Sequence, residues 1–70
     1  MKYNGVIFRG QYETALNSFL DGKVIDLDNF SNGDWEPTVQ IQEFIRRLDQ
    51  VGLEYNITGK SIRQYKIKRK

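Results

Sequence analysis

The stretch PTVQIQEFIRRLDQVGLEYNI, residues 37–57, changes its hydrophobic period at one glycine. Before Gly52, Ile41, Phe44, Ile45, Leu48 and Val51 fall on one face of a helix. After it, Leu53, Tyr55 and Ile57 alternate with Glu54 and Asn56, which is the period of a half-buried strand. A helix that must run directly into a strand within one residue limits the chain to an α+β fold in which both elements face one core. Proline at position 37 suits a first helical turn, and the Thr38 hydroxyl or Asp34 is expected to cap it.

The flanking segments follow the same rules. In QYETALNSFLDG, Tyr12, Ala15, Leu16, Phe19 and Leu20 form one apolar helical stripe that stops at Gly22. KVID then offers a short strand. LDNFSNGD leaves room for one brief helical turn, with Asp26 as its cap, before Asn32 and Gly33 break it. At the far end, TGKS provides turn chemistry and RQYKIKRK a returning strand, with Tyr65 and Ile67 inward and Gln64, Lys66, Lys68 and Lys70 outward. MKYNGVIFR, residues 1–9, reads either as an extra edge strand or arm or as a packed lead-in to the first helix. The expected order is helix, short strand, short helix, longer helix, hairpin. A hairpin alone is marginal, so the elements must share one core in a single domain over residues 1–70.

Composition removes whole classes of chemistry. The chain has no cysteine and no histidine, which excludes disulfides, thiolate nucleophiles, thiol or imidazole metal ligands and imidazole acid–base catalysis. Paired carboxylates such as Asp26 and Asp28 have no partner base in view, so no enzyme and no cofactor are expected. An EF-hand begun at Asp26 would need an oxygen ligand, a glycine and a glutamate where Phe30, Ser31 and Pro37 stand. The longest apolar run is Val6 to Phe8, and the first residues lack a signal-peptide pattern, so no membrane span is expected and the chain reads as cytoplasmic. On that reading the NIT sequon at 56–58 is a chance match.

Charge is distributed unevenly. The net charge is +2, but residues 10–55 hold three cations against all nine acids, a balance of −6, whereas residues 56–70 hold six cations and no acid. A basic end of this kind suits a polyanion, although it also serves solubility.

The arrangement as a whole, with Thr38, Ile41, Ile45, Arg46 and Arg47, Leu48 and Gly52 leading into a hairpin, resembles the winged-helix variant of the helix-turn-helix family over roughly residues 11–69. Small regulators of phages and mobile elements share this length and a basic wing. The resemblance implies three helices, the second short, followed by a C-terminal β-hairpin wing. It also implies binding of double-stranded DNA, with the helix over 38–51 in the major groove. Two departures stand out: the segment Leu27 to Ser31 is short for a second helix, and the following turn, residues 32–36, carries Asp34 and Glu36.

The candidate DNA-binding residues are Thr38, Val39, Gln40, Gln42, Glu43, Arg46 and Arg47 on the helix, with Lys60, Arg63, Lys66 and Lys68 on the wing. Arginine pairs bidentately with guanine and glutamine suits adenine edges. Glu43, however, lies three and four residues before the two arginines, so intrahelical pairing competes. Val39 can meet a thymine methyl, a protein partner, or Trp35 of the same chain. The wing lysines suit phosphates or, alternatively, protect an exposed strand edge. A domain this small is expected to need a homodimer or adjacent copies for useful specificity. The other expectation is a protein-binding adaptor or inhibitor using Trp35, Val39 and the acidic turn.

Overall fold

The apolar stripe of the first helical segment is buried as its spacing requires. The computed structural model, which describes residues 1–31 and 35–70, forms α1 over Gln11–Leu20, with Ala15, Leu16 and Phe19 buried. The helix closes by Gly22 N–H to the Phe19 carbonyl (3.0 Å) and Lys23 N–H to the Ser18 carbonyl (3.0 Å), the paired bonds of a Schellman stop. A 3₁₀ turn over Leu27–Phe30 follows. Asp26 caps it, accepting from the Asp28 N–H at 3.0 Å, while the Asn29 side chain accepts from the Asp26 N–H at 3.0 Å. This single turn stands where a short middle helix was expected, and it carries Phe30 into the core.

The second helix, α2, runs over Pro37–Val51, with proline in its first turn and a second Schellman stop at Gly52. The expected Thr38 cap is not formed. Thr38 lies inside the helix, Glu36 occupies the capping position without a side-chain bond, and the alternative, Asp34, lies outside the described residues. Ile41, Phe44, Leu48 and Val51 are buried, with Ile45 at the margin of the core. Phe44 is central. Its ring centroid lies 6.5 Å from Phe8, 6.3 Å from Phe19 and 5.6 Å from Phe30, so both helices, the 3₁₀ turn and the N-terminal segment meet on one side chain.

Residues 1–9 form a hairpin of their own. Its strands, β1 (Lys2–Tyr3) and β2 (Val6–Ile7), pair antiparallel around Asn4 and Gly5, both with positive φ (47° and 85°). That is the type I′ geometry that Asn-Gly favours. Phe8 follows and is fully buried.

The C-terminal hairpin pairs β3 (Tyr55–Thr58) with β4 (Lys66–Arg69) in the register Tyr55↔Arg69 and Ile57↔Ile67. Its connection is longer than the expected tight turn, because Ile62–Gln64 coils into a second 3₁₀ turn. On the other edge of β4, Ile25 and Ile67 exchange two backbone bonds of 2.8 Å, so the expected KVID strand contributes a single bridge. The end of the strand is tied to the fold: the Arg69 guanidinium donates to the Leu20 carbonyl at 2.9 Å, and the Lys70 N–H donates to the Glu54 carbonyl. Among the described residues the architecture is a small α+β fold of two α-helices and two antiparallel strand pairs.

Candidate nucleic-acid interface

The outer side of α2 divides the sequence-derived candidates sharply. Val39 (47% exposed) and Gln42 are open to solvent, and Thr38 is half-buried in the first turn. Gln40 differs from its helical-wheel placement beside the outer face. It is 6% exposed, and its Nε2 donates to the Trp35 carbonyl at 2.9 Å, holding the segment that leads into the helix. Trp35 does not cover Val39 with a buried ring, because it is itself 72% exposed.

The paired arginines part company. Arg46 is 63% exposed at its side chain and binds Glu43 through Nε to Oε1 (3.1 Å) and through Nη2 to Oε1 (2.9 Å) and Oε2 (2.8 Å). Arg47 is only 25% exposed and faces inward. Its Nε donates to Glu43 Oε2 at 2.8 Å, its Nη1 to the Ile7 carbonyl at 2.6 Å, and its guanidinium carbon lies 4.4 Å from the Tyr12 ring centroid. Partial burial disfavours the Glu43 anion, but hydrogen bonds from Arg47 and Arg46 outweigh it and hold the carboxyl below its ordinary value. The intrahelical pairing of Glu43 with both arginines is thus formed, and Arg47 additionally docks the N-terminal hairpin.

On the C-terminal hairpin, two of the four candidate cations are paired with acids distant in sequence. Arg63 reaches Glu36 at 3.2 Å, and Lys66 reaches Asp26 at 2.9 Å. The bond that Lys66 donates to Asp26, with the charge of that carboxylate, raises the Lys66 pKa. The acidic middle and basic end of the chain therefore meet within the fold. Lys60 and Lys68 are exposed and make no ion pair among the described residues. The register puts Lys68 opposite Asn56 and Lys66 opposite Thr58, so the outer sheet face is polar, with its free charge centred on Lys68.

These pairings also tie the two candidate regions together. Glu36 occupies the capping position of α2 and Arg63 belongs to the 3₁₀ turn that connects β3 and β4, so their ion pair sets that connection beside the first turn of the helix. The sequence reading missed the hairpin around Asn4 and Gly5, although YNGV carries its signal. It also missed the role of Tyr12 under Arg47, which no local pattern encodes.

No family model matches the chain, and neither the curated proteins nor the solved structures give a match. Any functional assignment must therefore come from the chain's own geometry. Among the described residues, no helix is long and apolar enough to cross a membrane.

Proposed function

We propose that this chain is a small cytoplasmic, non-enzymatic winged-helix protein that binds double-stranded DNA in a regulatory or architectural role. α2 acts as its recognition helix and the C-terminal hairpin as its wing. The observation that carries this proposal is the Glu36–Arg63 ion pair, which sets the wing loop beside the start of α2 so that one duplex can be addressed by both. Val39, Gln42 and Arg46 present a methyl-contacting group, an amide and a guanidinium along the exposed side of the helix. Lys60 and Lys68 supply charge for phosphates, and Lys66 can exchange the Asp26 carboxylate for a phosphate oxygen at little cost, since exposed pairs are weak, while Arg63 stays paired with Glu36 to position the loop.

The test is the salt dependence of binding to a mixed-sequence duplex. Affinity should fall linearly on a log–log plot as salt rises, and Lys68→Ala should weaken binding about equally on all sequences and reduce the slope by about one. Absence of binding at low salt, where counterion release is most favourable, refutes the proposal.

A protein-binding role is the second reading, and the exposure of Trp35 (72%), just ahead of α2, together with that of Val39 (47%) in its first turn favours it. Large aromatic side chains anchor protein interfaces. A protein partner would bury Trp35 and leave the salt slope shallow.

A further inference from the structure

From its spacing, Glu43 was expected to compete with DNA for the two arginines. Its bonding suggests a different role. Glu43 grips the Nε and Nη2 side of Arg46, at 3.1 Å and 2.8 to 2.9 Å. The same carboxylate is held from behind by Arg47 Nε at 2.8 Å. Arg47 is in turn fixed by the Ile7 carbonyl at 2.6 Å and by the Tyr12 ring at 4.4 Å. A chain of contacts therefore runs from two separate elements, the N-terminal hairpin and α1, through Arg47 and Glu43 to one exposed guanidinium.

Two consequences follow for Arg46. The first is entropic: the bonds to Glu43 already restrict part of the rotamer freedom that an exposed arginine otherwise loses on binding a ligand. The second is geometric. A guanidinium carries five N–H donors in a planar fork. With its Nε side occupied, the end of the group is left, and Arg46 Nη1 has no partner among the described residues. The end-on fork is the part that meets two adjacent acceptors, and in a major groove that pair is guanine O6 and N7.

Resting on the duplex-binding reading above, we propose that Arg46 reads a guanine and that Glu43 is the positioning residue that aims it, anchored by Arg47. Glu43 therefore contributes to sequence choice even though its charge opposes binding.

The two effects of Glu43 have opposite signs, which makes them separable. The experiment selects bound sequences from a randomised duplex pool at low salt, using wild type, Glu43→Gln, Arg46→Lys and Arg46→Ala, with an amide spectrum of each variant to confirm the fold. Wild type should favour guanine at one position by roughly 5- to 100-fold. Arg46→Lys should keep its affinity for mixed duplex while weakening that preference, since lysine retains the charge and donors without the planar fork. Glu43→Gln should bind mixed duplex at least as tightly as wild type, because a negative charge is gone, yet show a weaker guanine preference.

A guanine preference undiminished in Glu43→Gln overturns the positioning role, as does a preference that survives Arg46→Ala. Wild type that binds duplex without any guanine preference also overturns the inference while leaving the DNA-binding proposal intact. Wild type that binds no duplex at low salt overturns both.

Discussion

Replacing Arg47 with methionine separates the docking role of this residue from the exposure of its neighbour. Methionine keeps an unbranched stem over Tyr12 but removes the guanidinium, and with it three interactions. The bond to the Ile7 carbonyl is charge-assisted and 2.6 Å long; such bonds are worth about 1.5–3 kcal/mol. The i,i+4 pair with Glu43 adds about 0.3–0.5 kcal/mol, and the contact over Tyr12 about 0.5–1 kcal/mol. The side chain is one-quarter exposed, so the lower ends of these ranges apply and the expected loss is about 2 kcal/mol. In a domain of this size that lowers Tm by roughly 10 °C. Arg46→Met removes only an exposed i,i+3 pair, worth about 0.2–0.5 kcal/mol. Urea unfolding of both variants gives the comparison, and amide exchange over residues 2–7 should quicken in Arg47→Met alone. Equal destabilisation by the two substitutions, or Arg47→Met within about 0.5 kcal/mol of wild type, would refute the docking role.

Other outcomes follow from the same structure. Phe44→Ala should cost about 3–5 kcal/mol, a large share of the stability of a domain this small, whereas Val39→Ala should stay within about 0.5 kcal/mol by the same urea assay. Gly59 has φ of 112°, and a Cβ there would stand 2.4 Å from the Gln64 carbonyl oxygen, so Gly59→Ala should cost about 1–3 kcal/mol and shift the amides of residues 59–66. The hydrogen bond from Tyr55 to Asp49, with burial, raises the phenol from 10.0 to about 12. A raised pKa favours the protonated form in the folded state, so this contribution is whole below pH 10 and is lost as pH rises toward about 12. The ring-carbon shift of Tyr55 should titrate late in wild type and at lower pH in Asp49→Asn.

The parts legible in the sequence were those set by local rules. Both helices, their glycine stops, the Asp26 cap and the inward side of the last strand follow from periodicity and turn chemistry over a few residues. What escaped depends on which elements meet. A helical wheel gives the direction of a Cβ but not what another element lays over it. Gln40 points to the margin of α2 and is covered because it bonds the Trp35 carbonyl; Arg47 sits at the same margin and is covered because the N-terminal hairpin folds onto it. The ion pairs of Arg63 with Glu36 and Lys66 with Asp26 join residues 27 and 40 positions apart, so a count of charge by segment read as partner-seeking what the fold partly satisfies internally. The candidate surface is consequently smaller than the sequence suggested, centred on Val39, Gln42 and Arg46 with Lys60 and Lys68.

The most direct measurement is a titration of the isotope-labelled chain with mixed-sequence duplex at low salt, followed by backbone amide shifts. A DNA-binding wing and recognition helix predict progressive, salt-reversible shifts confined to residues 38–47 on the outer side of α2 and 59–68 on the wing. No shifts, or shifts centred away from both segments, would contradict it.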